Sequence, residues 1–344
     1  MKTRIVKVDP NNIDSKIMQE MGNIIACGGL VSFPTETVYG LGASAFSESA
    51  ALNVFKAKGR PADNPLIVHV TSLAEAEDVV CEIPENARVL FNKFSPGPLT
   101  VIMKKADKIP YAVTAGLETV AVRIPSHPIA RSLIASSGVP IAAPSSNLSG
   151  KPSPTIAEYV IKDMDGRIDA IIDGGGCKVG VESTIVDLSG DKPMLLRPGG
   201  ITFEELKSVI PNIEIDKHIL KSVAANEHPK CPGMKYKHYA PDAEVFVVEG
   251  EKSAVSDKIK ELLAENKDKK TGVLTLGNSE YNADVVIDAG RDNIEYANRL
   301  FTSLREFDKQ KADIVFAEFC FDDEHALAVK NRLYKSAAGR VIRV

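Results

Sequence analysis

Short apolar runs that suit buried strands alternate with stretches of helical period through the first 210 or so residues. The runs predict strands at residues 30–34, 66–70, 99–104, 120–124, 140–143, 170–173, 183–188 and 194–197. Between them, apolar residues recurring every three or four positions predict helices at 15–26, 49–57, 128–136 and 156–161. Ser126, ahead of His127 and Pro128, is a candidate helix start, because proline suits the first turn. The pattern thins beyond residue 210. Residues 216–241 lack periodicity and hold Pro229, Pro232, Gly233 and Pro241, which is linker composition. Alternation then resumes, with strands predicted at 245–248, 272–276, 284–287 and 314–319 and helices at 254–265, 294–307 and 325–336. Strand–helix alternation of this kind predicts a small parallel, Rossmann-like sheet. The fold class is α/β in both parts, and no internal repeat or low-complexity segment links them.

Length supports the division. A chain of 344 residues exceeds one ordinary core, and domains of roughly 100–200 residues predict two. The expected boundaries are 1–212 for the first domain, 213–241 for the linker and 242–344 for the second domain. Hydrophobic residues at 44% and charged residues at 26% are ordinary globular usage, against disorder or a fibrous protein. With 42 basic and 46 acidic residues the net charge is -4, which argues against a broad nucleic-acid surface but leaves room for a local basic pocket. The five cysteines are scattered and form no CxxC pair, so neither a zinc knuckle nor a disulfide framework is expected. Free thiols in a reducing compartment are expected instead. The start MKTRIVKVDP has no apolar signal core, and no apolar run reaches membrane-spanning length. The expectation is a cytoplasmic protein without membrane partners.

Candidate chemistry begins with exclusions. No GxxxxGK[ST] loop, GxGxxG, GxSxG or HExxH is present, and Gly174-Gly175-Gly176 reads as a tight turn rather than a phosphate cradle. What remains are polar clusters at strand ends, where open α/β sheets bind ligands. Phe33 to Gly42 carries two threonines, a carboxylate and a tyrosine, and by local pattern reads as a capped strand-to-helix turn. Lys58-Gly59-Arg60-Pro61-Ala62-Asp63-Asn64-Pro65 is a stiffened basic loop suited to phosphate oxygens, or else a solvated turn. His69 closes an apolar run, where a satisfied core histidine is the commoner outcome. Arg123 lies inside an apolar strand, where a charge needs either an internal carboxylate or an anionic ligand, the two being equally supported. Hydroxyls cluster at residues 145–153, and Gly180-Val181-Glu182-Ser183-Thr184 and Arg197-Pro198-Gly199-Gly200 flank further strands. Together Lys58, Arg60, Arg123, Arg197 and the hydroxyls describe a pocket for an anion.

In order along the chain stand FPTETVYGLG, KxRPxxNPLIVH, SPGPLT, VAVRIPxHP, APSxNxSGxPSPT, GVESTIVD and LLRPG. This series resembles the YrdC-type L-threonylcarbamoyladenylate synthases. Residues 232–241 and the motifs at 325–327 and 331–333 resemble the longer, two-domain members. The resemblance covers essentially the whole chain. It implies a YrdC-like twisted open α/β sheet followed by a small Rossmann-like domain, with the linker folding over the active site. It also implies a reaction: ATP, L-threonine and bicarbonate give L-threonylcarbamoyl-AMP, pyrophosphate and water, the first step of N6-threonylcarbamoyladenosine formation in tRNA. Motif matching assigns Thr37, His69, Arg123, Ala143 and Ser183 to threonine. It assigns Arg60, Asn64, Thr119, Ser145, Ser153 and Arg197 to ATP, with Lys58 near phosphate and Tyr236 or His238 reaching the nucleotide. Glu36 receives no assignment. The resemblance implies magnesium with the ATP, no organic cofactor, no protein nucleophile, and delivery of the product to a downstream tRNA threonylcarbamoyl transferase. Whether the chain binds tRNA itself, and which residues hold the metal, do not follow from it.

Two other readings compete. An RNA-binding or ribosome-maturation factor would need basic residues interleaved with stacking aromatics, and none stand out in a chain without tryptophan. A carbamoyl-phosphate-using maturation enzyme would share related domains but would carry cysteine-rich zinc fingers, which this sequence lacks.

Overall fold

The structure, a computed structural model, describes residues 2–219, 239–277, 279–320 and 323–344. The described chain forms two compact units. The first takes residues 2–149, 153–178 and 182–219, and the second takes 150–152, 179–181 and 239–344.

In the first unit the elements run β1 (Arg4–Lys7), α1 (Ser15–Ala26), β2 (Val31–Phe33), β3 (Gly40–Ser44), α2 (Glu48–Lys58), β4 (Ile67–His69), α3 (Leu73–Ala76) and α4 (Glu85–Phe94). They continue with β5 (Leu99–Lys104), α5 (Tyr111–Thr114), β6 (Thr119–Arg123), α6 (Pro128–Ser137), β7 (Ile141–Ala143), α7 (Ala157–Met164) and β8 (Ala170–Asp173). Last come β9 (Thr184–Asp187), β10 (Met194–Arg197), α8 (Phe203–Val209) and β11 (Glu214–Ile215). One mixed sheet orders the strands β1-β8-β2-β3-β7-β4-β6-β5-β9-β10-β11. Helices α1 and α6 pack together over a core built from Met18, Met21, Ile25, Val31, Phe33, Ile129, Leu133, Ile134, Ile141 and Ile172.

Two sequence expectations change here. The Phe33–Gly42 segment is not a strand-to-helix turn. It is a strand–loop–strand, with β3 antiparallel to both β2 and β7. The glycines that suggested a turn are needed inside the sheet: a Cβ on Gly42 would lie 2.8 Å from Ile141 Cγ2 and 2.9 Å from a Phe33 ring carbon. The start of α6 moves by one residue. His127 is the N-cap, its Nδ1 accepting from the Ile129 N–H at 3.3 Å, while the Ser126 N–H is drawn away to Glu36.

In the second unit the elements are β12 (Glu244–Glu249), α9 (Lys252–Glu265), β13 (Thr271–Thr275), β14 (Val285–Asp288), α10 (Asn293–Lys309), β15 (Ile314–Phe319), α11 (Ala326–Ser336) and β16 (Val341–Arg343). All pairings are parallel, in the order β14-β13-β15-β12-β16, as the strand–helix alternation predicts. The crossovers reverse direction after β14. Right-handed connections therefore place α9 on one face and α10 with α11 on the other. Val255, Ile259 and Leu263 of α9 accordingly pack on Val248, Val273, Ile314 and Phe316.

Candidate active site

The site is assembled by strand register in the first unit. Strand β4 lies parallel to β6 and antiparallel to β7, and β5 lies antiparallel to β6. His69, Arg123 and Thr100 are therefore cross-strand neighbours in one row. Alternation puts Ile67, Ala121 and Ile102 on that face as well, and these pack with Ile185 and Leu196 into an apolar floor. Ala143 opposite Ile67 extends the floor on one side. Beside Thr100, the parallel pairing of β5 with β9 brings in Ser183, whose Oγ is 2.7 Å from the Thr100 hydroxyl. Arg197 fixes Ser183 in turn, its Nε donating to the Ser183 carbonyl at 3.0 Å and Nη2 to its Oγ at 3.1 Å.

The loop between β2 and β3 meets this row at Arg123. Glu36 and Arg123 form a buried ion pair, with Nη2 to Oε1 at 2.7 Å. The internal carboxylate that Arg123 required is thus Glu36. Burial pushes the Glu36 carboxyl up, but the Arg123 charge and hydrogen bonds from Arg123 and main-chain N–H groups hold it below its ordinary 4.5. Burial, then the Arg123 charge, pushes His69 down to about 3, so its ring is neutral at physiological pH; Nδ1 lies 3.0 Å from the Ile67 carbonyl. Thr35 braces the loop. Its hydroxyl donates to the Val38 carbonyl at 2.7 Å, which uses its single proton. The 2.8 Å contact with Thr37 must then have Thr37 donating, which leaves the lone pairs of the Thr37 hydroxyl open. Arg123 therefore offers donors and Thr37 an acceptor on adjoining walls. Cys177, also buried, has its thiol raised by burial first and by Glu36 second, which makes it a poor nucleophile. Cys27, Cys81, Cys177 and Cys320 are free thiols, as expected.

The basic loop and the hydroxyl cluster are brought together by Lys58. Gly59 ends α2 in the left-handed conformation, and Lys58, at the helix terminus, turns inward. Its ammonium donates to the Ser145 carbonyl at 2.5 Å and the Asn147 carbonyl at 2.6 Å, and its own carbonyl accepts from the Ser149 N–H. It acts as the clasp of that loop. Arg60 donates to the Asn64 carbonyl at 2.9 Å and lies over the Phe55 ring. Both side-chain atoms of fully buried Asn64 lack a partner, as does the buried Ser146 hydroxyl. Unmet buried polar groups cost stability. Ser145 donates to Asn147 at 2.5 Å and Ser153 to Glu182 at 2.6 Å. Thr119 shares the Arg123 face of β6, about 13 Å away by strand rise. The Tyr39 hydroxyl donates to the Gly175 carbonyl and accepts from the Gly174 N–H, and these glycines continue from β8 as irregular chain rather than the expected tight turn. Tyr236 and His238 lie outside the described residues.

Sequence reasoning missed Thr35, Thr100, Glu182 and the role of Glu36. Thr100 carried a usable signal, a lone hydroxyl inside the apolar run Leu99–Lys104. Among the described residues no group of three or more His, Cys, Asp or Glu side chains is placed to hold a metal ion, and no helix is long and apolar enough to cross a membrane.

The Sua5/YciO/YrdC family, described as Telomere recombination, matches residues 23–199, and the family described as Threonylcarbamoyl-AMP synthase, C-terminal domain, matches residues 201–338. The chain belongs to the Sua5/YciO/YrdC family. It is 50% identical over 318 residues to the threonylcarbamoyl-AMP synthase of Pyrococcus abyssi, covering 92% of this chain and 93% of that protein. It is 49% identical to the Bacillus subtilis protein of the same name, covering 91% of each. The structure of P. abyssi Sua5 complexed with L-threonine superposes with a TM-score of 0.95 at 48% identity, covering 99% of this chain and 100% of that one. E. coli YciO shares the fold over 58% of this chain, with a TM-score of 0.52 at 24% identity.

Proposed function

We propose that this chain is an L-threonylcarbamoyladenylate synthase, an adenylyl-transferring enzyme that converts ATP, L-threonine and bicarbonate to L-threonylcarbamoyl-AMP, pyrophosphate and water. The observation that carries the reading is the pairing of a buried, fixed arginine with an open hydroxyl acceptor. Arg123 meets the amino-acid carboxylate, and Thr37 accepts from its amine. The near relatives named threonylcarbamoyl-AMP synthase, and the threonine complex of one of them, support it. His69, Ala143 and Ser183 complete the threonine side. Arg60, Asn64, Thr119, Ser145, Ser153 and Arg197 form the nucleotide side, together with Tyr236 and His238, and Lys58 holds the loop that carries Ser145.

The amine takes up CO2 from bicarbonate as a carbamate. A carbamate oxygen then forms a bond to the α-phosphorus, and the bond to pyrophosphate breaks. Neither Glu36, held below 4.5, nor His69, at about 3, has the basicity of a general base near neutral pH. The protein's contribution is positioning and charge neutralisation by fixed donors. Magnesium bound with the triphosphate would offset the phosphate charge. The product supplies tRNA threonylcarbamoylation through a downstream transferase, in the cytoplasm.

The test is incubation with ATP, labelled bicarbonate and L-threonine. Threonine-dependent pyrophosphate release with a labelled adenylate is expected. Pyrophosphate release indifferent to threonine would end the reading.

A further inference from the structure

We propose that Glu36 is a positioning residue for the amino-acid substrate, acting through Arg123. The proposal rests on the threonine reading above and deepens it.

A buried arginine neutralised for stability alone is best served by a two-pronged contact, in which both carboxylate oxygens meet the guanidinium fork. Glu36 does not do this. Its Oε1 takes Nη2 of Arg123 at 2.7 Å, while Oε2 turns away to accept the Ser126 N–H at 3.1 Å. The carboxylate is therefore anchored at one end to the main chain that follows β6, and at the other it grips a single nitrogen. Nε of Arg123 is left buried with no partner. The contact thus fixes the orientation of the guanidinium through one terminal nitrogen, while Nε stays sealed from solvent. Both side chains are almost wholly buried, so water does not replace the missing contact cheaply.

The surroundings limit what else can meet the guanidinium. His69 and Thr100 are the register neighbours of Arg123 on either side. The His69 ring is neutral and carries its own contact to Ile67, and the Thr100 hydroxyl is engaged with Ser183. An incoming carboxylate is the group that fits. Without Glu36 the arginine side chain would have to be ordered at each binding event, and that ordering would be drawn from the binding free energy. Glu36 also precedes Thr37 directly, so the contact that aims Arg123 also docks the loop that carries the acceptor for the amine. One carboxylate therefore sets the spacing of the two groups that read the substrate's carboxylate and amine.

The test is a double-mutant cycle on the full chain, read as L-threonine affinity by titration calorimetry, with the KM for ATP and a thermal melt for each variant. Glu36→Gln is expected to weaken threonine binding about tenfold to a hundredfold, with the KM for ATP within twofold of wild type. In an Arg123→Met background, Glu36→Gln should bring no further loss, because its effect runs through the arginine. Threonine binding that is unchanged or tighter in Glu36→Gln would overturn the proposal, because Glu36 would then be a mere counter-charge. Additive losses in the double variant would overturn it too, because Glu36 would act on substrate independently. If Glu36→Gln fails to fold, Glu36→Asp keeps the charge and shortens the reach. It is expected to fold and to lose threonine affinity severalfold, and wild-type affinity there would refute the role. A wild-type protein that neither binds threonine nor releases pyrophosphate in its presence defeats the functional reading and takes this proposal with it. Normal wild-type binding with an indifferent Glu36 defeats the proposal alone.

Discussion

Replacing Arg123 by methionine keeps much of the side-chain volume and removes the charge that offsets Glu36. Both partners are buried, with 5% and 8% of their side chains exposed, so solvent screening is slight. Removing one partner of such a pair costs about 3–5 kcal/mol, because the other charge is stranded. The cost must depend on pH in a defined direction. In the wild type the Glu36 carboxyl sits below its ordinary 4.5, so its contribution to stability is present above pH 4.5 and is lost as pH falls through the lowered value. In Arg123→Met only burial acts strongly on Glu36, so its folded-state value rises above 4.5. Holding it ionised then destabilises the variant increasingly as pH rises. The stability gap between wild type and variant should accordingly be full at pH 7.5 and close by roughly 1.4 kcal/mol per pH unit through the range between the two values. Urea unfolding at half-unit steps from pH 4 to 8 measures it. The combined Glu36→Gln, Arg123→Met variant, with neither charge, should track wild type near pH 7 without the steep dependence. A gap for Arg123→Met that stays constant from pH 4.5 to 7.5 would refute the reasoning.

Three further outcomes follow from the same geometry. Because His69 is pushed to about 3, it stays neutral between pH 6 and 8, and threonine affinity should vary less than about twofold there; a calorimetric inflection near pH 6.5 would contradict its burial. Asn64→Leu removes an amide that is buried without a partner, so the ligand-free protein should melt at the same temperature or higher by the equivalent of about 1 kcal/mol, while ATP binding weakens about tenfold or more. A lower melting temperature with unchanged ATP binding would reverse that assignment. Gly42→Ala forces a methyl to within 3 Å of Ile141 and Phe33, and a loss of about 1–3 kcal/mol in urea unfolding is expected.

Strands made of unbroken apolar residues were legible in the sequence. β5, β8, β10 and β15 lie where the pattern puts them, as does α1, whose apolar stripe repeats over three turns. What hid was structure whose packing forbids the usual signal. β3 reads as a turn because its glycines must admit Phe33 and Ile141. α8 is short, yet its Thr202–Glu205 capping box was a readable start. The site followed the same division. Pattern located Arg123 as a cation in need of a partner, but the choice between a side chain and a ligand depended on a contact across 87 positions of sequence. Nothing local to Glu36 announces that partner. Lys58 illustrates the converse. Its neighbours suggested phosphate, and nothing local announced that its ammonium also donates to the Ser145 and Asn147 carbonyls.

The Arg123–Glu36 pair also bears on why the site is built as it is. A buried ion pair gives a fold little net stability, since desolvating two charges roughly cancels their attraction, and an apolar pair of equal volume often does as well. Stability alone therefore does not account for a charge in the middle of a sheet that otherwise carries Val120, Ala121 and Val122. It accounts even less for a one-pronged contact that leaves Nε buried without a partner. Both features are costs to folding. Asn64 likewise holds a whole buried amide without a partner. Binding energy from threonine and ATP would therefore be spent satisfying donors and acceptors that folding has already fixed in place. Reactions that join two substrates without a protein nucleophile depend on that preorganisation, because geometry and charge are all the protein supplies to the transition state.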